Sequence, residues 1–231
     1  MKKIILVLAV LSLNLFANKI YATFEVQALK SANIAFSSSG IINNIYVDIG
    51  SIVKKDENLA SLNNSDIKAA LDMDKTALKY AKKDYDRQIK IKHIIDEAKF
   101  DSYAYKYELA KDKVTYQKAI LNKTILKAPF DGVIISKELE VGDVVSGQMI
   151  KTAFKIQSSS KRKLVLEFDQ KYHNDVKIGD KFSYTLDGDA KTYTGTISKI
   201  YPFANTKNRK IKAEVITKDI LVGLFGDGYI K

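Results

Sequence analysis

The sequence predicts a mainly β protein in which a small β-sandwich is split by a long α-helical hairpin and followed by a small β-barrel. Three observations predict this. A glycine–valine pattern occurs twice. The stretch between the copies, from Asn64 to Lys123, contains no Pro and no Gly. Residues 163–231 then read as short strands broken by Gly, Asp and Asn.

Composition sets the outer bounds. The chain has 231 residues, 46% hydrophobic and 28% charged, a globular mix that excludes wholesale disorder. Cysteine is absent, which excludes disulfides, thiol catalysis, a cysteine-linked lipid anchor and cysteine-ligated metals. The two histidines, His93 and His173, lie 80 positions apart, so no histidine-rich metal site is expected. The net charge is +11, but the lysines are spread over every segment rather than gathered in a stripe. That is the pattern of a solvated surface, not of a nucleic-acid binder, with a weak attraction to anionic lipid headgroups as the minor alternative.

The N-terminus reads as a secretory signal peptide over residues 1–17. Lys2 and Lys3 form the positive region, Ile4 to Phe16 the apolar core and Ala17 the small residue at the break. Ala22 is a second cleavage candidate, and retention as an anchor is the alternative. The core has about 13 residues, fewer than the ~20 a spanning helix needs. Export and a soluble mature chain are therefore expected.

The repeat comes next. The first copy has Gly40-Ile41-Ile42, Gly50 and Val53; the second has Gly132-Val133-Ile134, Gly142 and Val145. In both, the glycines are ten apart and the valine follows by three. Apolar residues partly alternate within each copy, as in half-buried strands. The glycines and Asp131-Gly132 suit turns. Two short sheets, each unable to bury its own face, would close on each other, with residues 18–63 and 124–157 as the halves.

Residues 64–123 carry the helical period. Asn64, Ser65 and Asp66 suit a helix start. Ile67, Leu71, Leu78, Ala81 and Tyr85 form one seam, with Asp74 its polar exception. Phe100, Tyr103, Tyr107, Ala110, Val114, Gln117 and Leu121 form a second, stepping by three and four. The break is placed at His93-Ile94-Ile95-Asp96, with Asp96 capping the second helix. Two helices of roughly 26–29 residues would form an antiparallel hairpin about 40 Å long.

A polar linker is expected at Gln157 to Arg162, and residues 158–231 as a barrel; residues 18–29 are the segment that could pair with it.

With these pieces in place, residues 30–228 resemble the periplasmic adaptors, the HlyD-like membrane fusion proteins of tripartite efflux and secretion systems. The resistance-nodulation-division class is the most similar. The resemblance rests on the half-motif from Gly40 to Leu62 and on Leu126-Lys127-Ala128-Pro129-Phe130-Asp131-Gly132-Val133-Ile134. It implies a lipoyl-like sandwich with turns at Gly40, Gly50, Pro129, Gly132 and Gly142. It implies an inserted hairpin packed through Leu71, Leu78, Tyr85, Phe100, Tyr103, Tyr107, Val114 and Leu121. It further implies no catalysis, no cofactor and no metal, and a ring of copies in the periplasm. That ring would bridge an inner-membrane transporter and an outer-membrane channel for the efflux of small molecules.

The resemblance also implies a channel-docking tip of Arg87, Ile89, Ile91, Ile94, Ile95 and Asp96. With Asp96 at the family's Ser, Ile89 falls at its Leu and Tyr85 at its Arg. If Arg87 is kept as the Arg, Ile91 becomes the Leu equivalent. Ile94-Ile95 replaces the family's Gly-Ala turn. Little sequence follows Gly228 for the membrane-proximal domain common in that class, so pump docking is expected on the barrel and sandwich surfaces. An ABC-type exporter or secretion system is the alternative setting, and an exported ligand-binding protein a weaker rival. A modified carrier lysine is not expected, because the helical insert occupies the turn where a carrier holds it.

Overall fold

A computed structural model describes residues 19–231; the expected signal segment, residues 1–17, lies outside the described residues. The first strands are β1 (Ile20–Ala28), β2 (Ser31–Ile34), β3 (Gly40–Ile45), β4 (Ile52–Val53) and β5 (Asn58–Leu62). The helices α1 (Ser65–Ile89) and α2 (Glu97–Lys123) follow. Then come β6 (Ile125–Lys127), β7 (Gly132–Lys137), β8 (Val144–Val145), β9 (Phe154–Ser158) and β10 (Arg162–Asp169). The chain finishes with β11 (Lys181–Leu186), β12 (Thr192–Ala204), β13 (Lys210–Thr217) and β14 (Phe225–Ile230). These elements form two compact units: residues 31–159, and residues 19–30 with 160–231.

In the first unit two four-stranded sheets, β2-β9-β7-β4 and β6-β5-β3-β8, enclose a core that includes Ile42, Leu59, Leu62, Ile134, Phe154 and Ile156. The repeat is read directly in the pairing. Gly40 of the first copy lies opposite Val145 of the second, and Gly132 of the second lies opposite Val53 of the first. The copies therefore do not form one sheet each, as the sequence reading expected. They exchange strands, so each sheet needs both copies and neither half has a complete ladder alone.

The glycines divide into two kinds. Gly50 (φ 87°) and Gly142 (φ 95°) sit in turns with positive φ, which costs an L-residue about 1–2 kcal/mol. Gly132 was expected in a turn but opens β7. A Cβ there would stand 2.4 Å from the Gln157 carbonyl oxygen on the neighbouring strand, so the glycine permits strand approach. Pro129 lies just after β6 with an exposed side chain.

The second unit is a closed barrel of order β1-β10-β13-β12-β11-β14. Residues 20–28, within the segment 18–29 left open to barrel pairing, are one of its strands, and the sandwich unit starts at Ser31. On β1 every second residue, from Ile20 through Ala22, Phe24 and Val26 to Ala28, is buried, the period-two signature of a strand with one face in a core. Cleavage after Ala22 would cut through this strand. Phe24 meets Phe182 and Tyr184 edge-on with centroids 5.8 and 5.2 Å away, and Phe182 stacks on Tyr184 at 5.4 Å. Such contacts add about 0.5–1.5 kcal/mol each beyond area burial. The expected linker is shorter than Gln157 to Arg162, because Gln157 and Ser158 finish β9 and Arg162 begins β10.

The barrel wall also holds one nearly buried carboxylate. Glu214 accepts from the Lys163 ammonium and from the Tyr201 hydroxyl, both at 2.8 Å. Burial pushes its carboxyl up, but the two donors outweigh that and hold it below its ordinary value of 4.5.

Both the carboxylate and the glycines can be tested. Glu214's folded pKa is depressed, so its contribution is full above about 4.5 and fades as pH falls through the folded value. Glu214→Gln should lower the stability of the barrel by about 1–3 kcal/mol at pH 7 and flatten the acid limb of a denaturation–pH profile. Gly132→Ala, which collides with backbone, should lower the melting temperature more than Gly50→Ala, which meets only φ strain; equal losses would contradict the close-approach reading.

Candidate functional site

The hairpin grows directly out of the sandwich. β5 and β6 are paired, with Ala60 opposite Leu126 and Ser61 opposite Ile125. The ladder continues into the helix ends, where the Leu62 N–H donates to the Thr124 carbonyl at 2.9 Å. Asn64 sits at the helix start but does not cap it. Its buried side-chain amide donates to the Thr124 hydroxyl at 2.9 Å, and that hydroxyl donates to the Leu121 carbonyl. The two helix ends are thereby tied across 60 positions of sequence.

Above this joint the helices have 25 and 27 residues, so each rises about 40 Å. Leu71, Ala110 and Val114 are buried between them. Leu78, Tyr85, Phe100, Tyr103, Tyr107 and Leu121 are half-buried, as a two-helix seam with no third partner requires. Gln117, the polar member of its seam, reaches the Ile67 carbonyl on α1 at 3.4 Å. Nearer the tip an aromatic clamp replaces aliphatic packing: Tyr85 stacks on Tyr107 at 5.2 Å and leans on Phe100 at 5.7 Å.

The break spans residues 90–96 rather than the four residues expected. Asp96 caps α2, its carboxylate accepting from the Lys99 N–H at 3.1 Å. Turn hydrogen bonds from the Ile94 and Ile95 N–H groups to the Ile91 carbonyl shape the tip. Ile94 is 74% exposed, Ile89 47% and Ile91 40%. Ile95 was expected to stand out beside Ile94 but is half-buried. Arg87 lies in the last turn of α1 and forms an ion pair with Asp84 on its own helix. It is an exposed pair, so about 1 kcal/mol at most holds it there. His93 is exposed in the turn.

Two features escaped the sequence reading. Lys92 sets its ammonium 4.8 Å over the Phe100 ring, and with Lys90 it puts positive charge around the apolar tip. The alternation Lys90-Ile91-Lys92 was the available signal. Thr124, which closes the base, had none beyond its place at the end of the helix. Among the described residues no cluster of three or more His, Cys, Asp or Glu could hold a metal ion, and no helix is long and apolar enough to cross a membrane.

A sandwich of two strand-exchanged sheets, opened by a helical hairpin between β5 and β6, defines a barrel-sandwich hybrid. The chain belongs to the family described as CzcB-like, barrel-sandwich hybrid domain, which matches residues 30–157. It is 26% identical over 203 residues to the cobalt-zinc-cadmium resistance protein CzcB of Cupriavidus metallidurans, covering 80% of this chain and 39% of that protein. The chain thus spans well under half the length of that relative.

Among solved structures it is similar to a MacA-MexA chimera containing the Pseudomonas aeruginosa MexA α-hairpin domain. The TM-score is 0.84 at 21% identity, over 92% of this chain and 81% of that one. The membrane fusion protein Spr0693 from Streptococcus pneumoniae R6 gives a TM-score of 0.74 at 16% identity, over 92% and 98% of the two chains. At these identities the likeness is one of fold.

The joint at the hairpin base is open to a direct test. Asn64→Ala removes the amide that spans the helix ends inside a buried site, so the sandwich–hairpin unit should lose about 1–3 kcal/mol. Hydrogen exchange should speed up at the base of both helices; a change confined to α1 would contradict the tie.

Proposed function

We propose that this chain is a periplasmic adaptor that links an inner-membrane transporter to an outer-membrane channel, several copies assembling as a ring around the conduit. The observation that carries this reading is the tip. Ile94 is 74% exposed at the end of a stalk about 40 Å long, where its own unit has nothing to cover it. An apolar group so placed gains by burying against another protein. Family membership and the fold shared with solved membrane fusion proteins support the same reading.

The physical work of such a protein is positioning. The seam and the joint hold the tip at a fixed reach, and the tip residues Ile89, Ile91, Ile94 and Asp96 would seat between helices of the channel. Full burial of one Ile contributes about 1.5–3 kcal/mol, too little alone. Several tips on one ring act at high effective concentration, which converts weak contacts into stable engagement. Export to the periplasm, through the segment at residues 1–17, belongs to this proposal. So does the cargo: the cations in the name of the CzcB relative are the first to test in a deletion strain.

The absence of cysteine makes the test clean. Ile94→Cys in intact cells, treated with a short thiol-to-amine crosslinker, should yield an adduct with an outer-membrane channel protein. Lys111→Cys on the hairpin flank should not. Ile94→Glu should weaken channel engagement at least about tenfold per tip, the equivalent of the lost burial. Adducts from both positions, or only between copies of this chain, would count against docking through the tip.

A further inference from the structure

Strand β12 pairs with β13, but the pairing is interrupted. Ile200 lies opposite Ala213 and Ala204 opposite Ile211, so Tyr201, Pro202 and Phe203 face the single residue Lys212. The bulge has two extra residues, and bulges are over-represented at barrel rims and beside functional sites, where they re-aim a side chain. The Tyr201 hydroxyl donates to Glu214 and its ring lies 5.9 Å from that of Phe203, while Pro202 and Phe203 are exposed. Phe203 ends 63% exposed on a protein that buries every other Phe of this barrel except Phe225.

The surroundings of Phe203 are basic. Lys199 sets its ammonium 5.4 Å from the Tyr201 ring. The turn that joins the strands brings Lys207 and Arg209, with Arg209 at a positive φ of 55° and its N–H on the Asn205 carbonyl. Lys210 and Lys212 follow on β13. The acids that face this group are few. Glu167 meets Lys210 at 3.8 Å and Lys212 at 3.4 Å, Glu214 is taken up by Lys163 and Tyr201, and Asp169 accepts from the Lys171 N–H. Lys207 and Arg209 pair with no described carboxylate.

We propose that the end of the β12–β13 hairpin is an interfacial anchor for an anionic lipid surface, with Phe203 entering the headgroup boundary and Lys199, Lys207 and Arg209 meeting lipid phosphates. Phe203 is an exposed apolar wedge on a hairpin end that also carries long, exposed cationic side chains. Lys207 and Arg209, with no described carboxylate partner, leave positive charge that an anionic surface complements. Such a wedge suits a soft interface, where the ring inserts and lysine stems snorkel to the charged plane. Each cation near such a surface strengthens binding about fivefold, and salt screens the effect. The site lies in the barrel unit and is independent of the hairpin tip, so it holds or fails apart from channel docking.

The chain contains no tryptophan, so one introduced indole reports alone. In the full chain, Phe203→Trp should shift its emission to the blue with phosphatidylglycerol-containing vesicles and be quenched by brominated lipid. Phe225→Trp, exposed on β14, is the control and should do neither. Adding Lys207→Gln and Arg209→Gln to the Phe203→Trp chain should weaken the vesicle response by about 25-fold, as the loss of two cations at fivefold each requires. High salt should weaken it too. A silent Phe203→Trp variant, an equal response to neutral phosphatidylcholine vesicles, or an equal response from Phe225→Trp would overturn the proposal. If Phe203→Trp ignored vesicles but responded to polyglutamate, the lipid anchor would be overturned and the hairpin assigned to an acidic protein surface instead.

Discussion

The joint at the base of the hairpin is what the rest of the sandwich–hairpin unit depends on. Two helices in water bury only Leu71, Ala110 and Val114 fully between them. That seam alone is thin for helices of 25 and 27 residues, and an isolated hairpin of this kind would be marginal. The β5–β6 ladder changes the problem. It fixes the register of α1 against α2 before the helices begin, and the buried Asn64–Thr124 pair carries that register into their first and last turns. The helices then need only propagate a geometry that the sandwich has already set.

The sandwich itself depends on exchange between the two copies of the repeat. Gly40 against Val145 and Gly132 against Val53 are the same pairing made twice, in reciprocal sense. The long helical insert between the copies does not disturb it, because the insert leaves and returns at adjacent strands. Loop-closure entropy also grows only slowly with length. A stiff arm can thus be added to a small β unit at little cost, provided both of its ends are tied.

Much of this was legible in the sequence because it rests on spacing. The glycine repeat, the uninterrupted helical stretch and the short C-terminal strands were enough for the fold class. Asp96 as the cap of α2 was readable from residue type, and the two seams from their three-four steps. The misreadings share a cause. Gly132 looks like turn chemistry after Asp131, yet the crowding that demands glycine comes from Gln157, on a strand distant in sequence. Ile95 is as apolar as Ile94, and only the turn geometry decides which stands out. Gln157 and Ser158 look like linker because polar residues can end a strand as readily as a loop. The bulge at Tyr201–Phe203 exists only in the pairing with β13, and no local pattern announces it.

The joint holds the tip at a fixed reach from the sandwich. The cysteine-free chain allows a direct measurement, with spin labels at Lys127→Cys on β6 and Ile94→Cys at the tip. Pulsed dipolar spectroscopy should give one narrow distance distribution centred at about 40 Å or beyond, the reach set by the helix rise. A broad or two-peaked distribution, or one with substantial population at much shorter distance, would mean that the arm swings or folds back, and would contradict the account.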